Sequence, residues 1–283
     1  MTANGQKPQN KLIEFAILII YFAVFVHLLT SSSASLLNIT VSGVMVLAAL
    51  VLNYGPLLRG KQNSRRMWAV LSALAAGFWV FSLFRYFGLV EWPLSRAVDL
   101  AAYLRLLYSH LVLAFTVLAP VIVACQATGA VRMISWGNWT SSIPARPGKT
   151  ILVLVSVCCW LWAVRVVLST KLDLPGPFTA FVGVCLLKAF LTGAIEEICY
   201  RGIIQPSAIA RFGVLLGIIM QSCLYTAFHI HLGEAFFMRA GFLVGVMMLG
   251  LVFGVVTHLT HGIGWASVVH IAINVVIEWR NLS

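Results

Sequence analysis

Charge is what this chain has least of. Asp, Glu, Lys and Arg make up 10% of its 283 residues, against about 25% in an ordinary soluble domain. Hydrophobic residues make up 61%, and the mean hydropathy is +0.97. A soluble globular domain and a disordered chain are both excluded by these numbers. There are only two aspartates, Asp99 and Asp173, both at loop-like positions. An aspartyl intramembrane protease needs two such carboxyls within the bilayer, so that class is disfavoured. No His-Glu-x-x-His run is present, which removes the zinc proteases built on that motif. No Gly-x-Ser-Gly-type turn with a paired histidine supports a membrane serine protease. The six cysteines, Cys125, Cys158, Cys159, Cys185, Cys199 and Cys223, lie in or beside apolar runs without metal-type spacing. They read as packing residues. No internal repeat is visible, which disfavours a transporter that uses its glutamates as a proton relay.

Apolar runs of membrane-spanning length fill the sequence instead. Only helices and closed barrels satisfy the backbone in lipid, and these runs lack the period-two alternation of barrel strands. A span needs about 20 apolar residues. The first five candidates are Leu12–Thr30, Leu36–Asn53, Met67–Phe84, Leu106–Gln126 and Ile151–Thr170. The first reads as a retained anchor, because no small-residue cleavage site clearly follows it. Pro120 lies inside the fourth and is expected to kink it. Residues 85–105 form an amphipathic stretch suited to the interface, and 128–149 reads as a non-helical link.

The net charge of +11 comes from basic residues clustered between these runs, such as Arg59, Lys61, Arg65 and Arg66. Positive cytoplasmic loops account for that pattern, and nucleic-acid binding is not needed. The break Asp173-Leu174-Pro175-Gly176-Pro177 separates an N-terminal region, residues 1–176, from a core at 177–283. The core holds four more candidates, Phe178–Tyr200, Gly213–His229, Ala235–His258 and Gly264–Ile277. Arg201–Arg211 reads as an amphipathic connection between the first two. The expected fold is all-α, a polytopic transmembrane helical bundle with eight or nine spans.

The core concentrates polar residues where lipid should exclude them. Glu196 and Glu197 stand side by side near the end of an apolar run. One ionised side chain in a membrane helix costs about 2.5–3.5 kcal/mol on insertion scales, so a pair is not expected without partners. A Glu197–Arg201 pair at i, i+4 could be structural glue. The sharper alternative is a general base. Tyr225 and His229 share one helical face, and His270 and Asn274 share another. Three helices thus each present a polar face, which membrane helices turn towards one another or towards water. A carboxylate and an imidazole suit activation of a water, and further donors suit a tetrahedral oxyanion.

Glu196-Glu197-x-x-x-Arg201, then Tyr225-x-x-x-His229, then His270-x-x-x-Asn274 resembles the motif series of the CPBP family. These are intramembrane glutamic endopeptidases related to type II CAAX prenyl proteases and to bacteriocin-processing or immunity proteins. The resemblance spans roughly Phe178 to Ile277, about a third of the chain. It implies that Glu196 and His229 activate the water, that His270 and Asn274 stabilise the oxyanion, and that Glu197 and Arg201 support them. One departure is that the second motif usually begins with phenylalanine. Tyr225 keeps an aromatic there and adds a hydroxyl near the site.

The expected activity is hydrolysis of a peptide bond in a membrane-associated protein or peptide substrate near the bilayer interface. The expected setting is the plasma membrane of a prokaryote, with substrate choice residing in the N-terminal region. No cofactor is expected, although zinc held by Glu196, Glu197, His229 and His270 is a minor variant. A catalytically silent adaptor or immunity-type protein with the same core is the competing reading. Outside the motifs, His258 and His261 read as a wetted loop pair, His231 and Glu234 as interfacial, and His27 and His110 as core histidines. Lys188 lies on the helix of the two glutamates and could offset part of their charge, although helical spacing does not place it over either.

Overall fold

The architecture comes from a computed structural model that describes Thr40, Gly43, Val44 and residues 62–90, 100–128, 146–169, 178–229 and 240–282. The first predicted span, and the second apart from Thr40, Gly43 and Val44, lie outside the described residues. Over the rest the chain is nearly all helical. Helices α1 (Gln62–Tyr86), α2 (Leu100–Thr128) and α3 (Arg146–Ser169) contain the third, fourth and fifth predicted runs. Helix α4 (Phe178–Glu196) passes into a wider π-helical segment, Glu197–Ile204, and then into α5 (Gln205–Phe212). Helices α6 (Val214–His229), α7 (Ala240–Thr260) and α8 (Gly264–Leu282) complete the core.

Three of the described helices carry stretches long and apolar enough to cross a membrane: Leu107–Ala124, Thr150–Ser169 and Gly241–Thr260. Trp68–Phe81 and Val214–Ala227 are shorter apolar segments. Side chains on α3 confirm the apolar setting. Ile151, Leu154, Leu161, Trp162 and Leu168 all face outwards, whereas Lys188, Glu196, Glu197, Arg201 and Gln205 are buried. That distribution inverts the one water selects and fits a lipid-facing surface. The chain is an integral membrane protein.

Small residues set the helix contacts. A Cβ at Gly77 would sit 2.5 Å from the Thr116 carbonyl oxygen, so α1 and α2 touch backbone to backbone. Gly217 meets Ile209 in the same way where α5 folds onto α6. Gly250 and Gly254, four apart on α7, admit Ser222, Tyr225 and Gln221 of α6. Without a hydrophobic drive between helices, such close approach is the main source of association in lipid. The turn between α5 and α6 needs Gly213, whose φ of 91° few other residues adopt.

Two expectations need correction. Residues 201–211 are no simple amphipathic connection, because Arg201, Gln205, Ser207 and Ala208 are all buried. The π-helical segment turns them inwards against α6 and α7. Residues 146–149, assigned from sequence to a non-helical link, form the first turn of α3. Pro147 fits there because a first-turn amide needs no partner within the helix.

Candidate active site

Helices α4 and α8 pack side by side and run antiparallel. Lys188 meets Glu278, Gly193 approaches Asn274 and Ile271, and Glu197 meets His270, so numbers rise along one helix as they fall along the other. Gly193 makes this possible, since a Cβ there would lie 3.0 Å from Ile271 Cγ1. Immediately beyond it the helix widens. The Gln205 amide donates to the Tyr200 carbonyl, five residues back instead of four. Such π-type turns recur at functional sites, and here one carries Glu197 and Arg201 into the core.

Glu197 and Arg201 are both fully buried. Arg201 Nη1 donates to Glu197 Oε1 at 3.0 Å, and the guanidinium lies 4.1 Å over the Tyr225 ring. His270 Nδ1 contacts the same carboxylate oxygen at 2.8 Å. A carboxylate already paired with arginine can only accept, so this nitrogen carries the hydrogen. His270 Nε2 then presents its lone pair to Tyr225 Oη, 3.3 Å away.

The same logic fixes His229. Its Nδ1 lies 2.8 Å from the Tyr225 carbonyl, which accepts its hydrogen and leaves Nε2 as an acceptor. Glu196 Oε2 stands 3.8 Å from His229 Nε2 and 3.6 Å from His270 Nε2, with no hydrogen-bond partner of its own. Three acceptor atoms from three chain segments therefore face one small space. They cannot satisfy each other; a molecule that donates two hydrogens can satisfy them.

Of the seven residues singled out from sequence, Glu196, Glu197, Arg201, Tyr225, His229 and His270 are joined by these contacts. Asn274 lies one turn beyond His270 on α8, with its Nδ2 buried against Gly193 and without a hydrogen-bond partner. Lys188 has a carboxylate partner that the sequence reading did not name. It is buried in an ion pair with Glu278. Glu278 escaped the sequence reading because the last span was ended at Ile277. Its spacing was nevertheless informative: His270, Asn274 and Glu278 stand at i, i+4 and i+8. His258 and His261 sit at the end of α7, with His261 exposed at a φ of 52°. Cys185 and Cys199 are buried, but Cys158 is exposed on α3 and is no core residue. His27, His231, Glu234 and the side chains of His110 and Cys125 lie outside the described residues.

Residues 178–276 match the family described as type II CAAX prenyl endopeptidase Rce1-like. The match covers about a third of the chain and supports a place in the CAAX-protease family. The matched family is one of endopeptidases, and the matched segment contains Glu196, Glu197, Arg201, Tyr225, His229, His270 and Asn274. No curated protein and no solved structure matches the chain.

Proposed function

We propose that this CAAX-protease-family protein is a multi-pass intramembrane endopeptidase that cleaves a protein or peptide substrate with a water activated by Glu196 and His229. The observation that carries this reading is the convergence of Glu196 Oε2 with His229 Nε2 and His270 Nε2 at 3.6–3.8 Å. A water in that space donates one hydrogen to Glu196 and the other to an imidazole. Its oxygen lone pair is then free to attack a carbonyl carbon. As the new C–O bond forms, the water's proton passes to Glu196 and the carbonyl oxygen becomes an oxyanion. Collapse of the intermediate breaks the C–N bond, and the departing nitrogen takes that proton from Glu196. The carboxylate is regenerated without a covalent enzyme intermediate.

Glu197 and Arg201 position the reacting groups. The buried guanidinium pairs with the Glu197 carboxyl, which also meets His270 and orients that ring towards Glu196. The Asn274 amide, one turn further along α8, has the hydrogens to meet a developing oxyanion. No step requires a metal. The catalytic core is residues 177–283, and α1, α2 and α3 supply the surface that selects a substrate. These three helices pack on α5, α4 and α8 respectively, so substrate contacts there reach the site through one layer of helices. The setting is a prokaryotic plasma membrane.

The test is peptidase activity in proteoliposomes, using a farnesylated C-terminal peptide of the type the family's name specifies beside its unprenylated counterpart. Glu196→Gln should lower kcat by about 10²–10⁴, the usual worth of a positioned base. A folded Glu196→Gln or His229→Ala protein with full activity refutes the mechanism and leaves the adaptor or immunity reading standing. Exhaustive chelation with metal analysis decides the zinc variant: activity persisting without bound zinc removes it, and loss restored by zinc establishes it.

A further inference from the structure

We infer that Tyr225 is a catalytic hydrogen-bond donor, one that stabilises the oxyanion in the reaction proposed above. The inference rests on that hydrolytic reading and goes beyond it. Tyr225 is the residue on which the site's contacts meet. Its carbonyl fixes His229, its ring carries the Arg201 guanidinium, and its hydroxyl reaches His270. It is 2% exposed, and the edge of Tyr200 packs on it at a centroid distance of 5.5 Å. The ring therefore has little freedom to leave the site.

The argument is an inventory of hydrogens. An oxyanion needs donors, and the neutral His270 imidazole has one N–H, already given to Glu197 at 2.8 Å. Its other nitrogen faces the site as an acceptor. His229 has likewise spent its N–H on the Tyr225 carbonyl. The carboxyls of Glu196 and Glu197 accept when ionised. The hydrogens left for a negative oxygen are those of the Asn274 amide, those of Nε and Nη2 on the Arg201 guanidinium held over the Tyr225 ring, and that of the Tyr225 hydroxyl. At rest that hydroxyl donates to His270 Nε2 at 3.3 Å, a long contact that is cheap to exchange. His270 Nε2 is also the atom 3.6 Å from Glu196 Oε2, so the hydroxyl borders the space assigned to the water. Rotation about the C–O bond turns the hydrogen from the imidazole to a carbonyl oxygen without moving the ring.

Tyr225→Phe removes the hydroxyl and keeps the ring, its contact with Arg201 and its backbone carbonyl. On the farnesylated peptide in proteoliposomes, kcat should fall by about 10²–10³ with KM within about twofold, the signature of a lost oxyanion donor. A phosphonate peptide that mimics the tetrahedral intermediate should lose inhibitory potency in parallel, whereas the uncleaved peptide should bind Tyr225→Phe as well as wild type. A merely structural hydroxyl would not separate those two affinities. If Tyr225→Phe keeps kcat within about threefold, or loses substrate and phosphonate binding equally, the inference is overturned while the hydrolytic reading stands. If wild type and Tyr225→Phe are both inactive, yet bind the phosphonate no better than the peptide, both readings fall together. Should Tyr225→Phe not fold, difluorotyrosine at position 225 replaces it, and unchanged kcat and phosphonate affinity with that better donor overturn the inference.

Discussion

The buried Lys188–Glu278 pair offers a test that does not depend on activity. It ties α4 to α8 about two turns away from the Glu197–His270 contact just past the end of α4. Lys188 precedes Glu197 by nine residues, and Glu278 follows His270 by eight, so on antiparallel helices both ties hold one register. Lys188 is 4% exposed and the Glu278 side chain 12%, which leaves the charges poorly solvated. Two unit charges about 3 Å apart attract by about 5–6 kcal/mol at an effective dielectric of about 20. Desolvation costs several kcal/mol per ion, so the intact pair contributes little net stability. Breaking it is different, because one charge is left buried alone. Lys188→Met should therefore cost about 3–5 kcal/mol, whereas Lys188→Met with Glu278→Leu should recover most of that loss. The assay is reversible unfolding in mixed micelles of rising SDS fraction, run on wild type, both single variants and the double variant. The refuting result is plain additivity, with a coupling energy below about 0.5 kcal/mol across the cycle.

The remaining predictions concern other parts of the core. Gly217→Ala places a Cβ 2.6 Å from the Ile209 backbone nitrogen and must push α5 off α6, costing about 1–3 kcal/mol in the same unfolding assay. Arg201→Met strands Glu197 in a fully buried position and should cost about 3–5 kcal/mol as well as most of the activity, measured by unfolding and by peptide cleavage. His258→Ala and His261→Ala, at the far end of α7, should leave kcat within about twofold, whereas His229→Ala should lower it by about 10²–10⁴ in the same cleavage assay.

How much of this was legible beforehand depended on whether the information was local. The i, i+4 spacing placed Tyr225 with His229 and His270 with Asn274 on shared faces, and both faces do turn towards the π-helical segment. Helical spacing also found the Glu197–Arg201 pair, which the structure shows at 3.0 Å. What spacing could not supply was the register between helices. Lys188 sits on the helix that leads to Glu196 and Glu197, so it could be read only as offsetting part of their charge, although spacing placed it over neither. Its actual partner lies 90 residues away, because α8 runs back along α4. The first predicted span, and all but three residues of the second, fall outside the described residues, so they add nothing to this comparison.

The misreading of residues 201–211 has a more general physical cause. Hydropathy counts Gln205, like Gln221 in the next span, as a group that seeks water, which makes residues 201–211 read as an amphipathic connection on paper. In the structure Gln205 Nε2 donates to the Gly254 carbonyl at 2.8 Å, and Gln221 Nε2 donates to the Gly250 carbonyl at 2.9 Å. Two glycines without side chains bring the α7 backbone close enough for its carbonyls to accept a second hydrogen bond. A glutamine amide is thus satisfied in the interior at sites that no side-chain scale registers. The same two glycines admit the helix that carries Tyr225 and His229, since a Cβ at Gly250 would lie 3.3 Å from Tyr225 Cδ1. The glutamine–glycine contacts and the face that carries Tyr225 and His229 are therefore one packing solution. A side chain at Gly250 or Gly254 would displace α6 and, with it, the His229 nitrogen that faces Glu196.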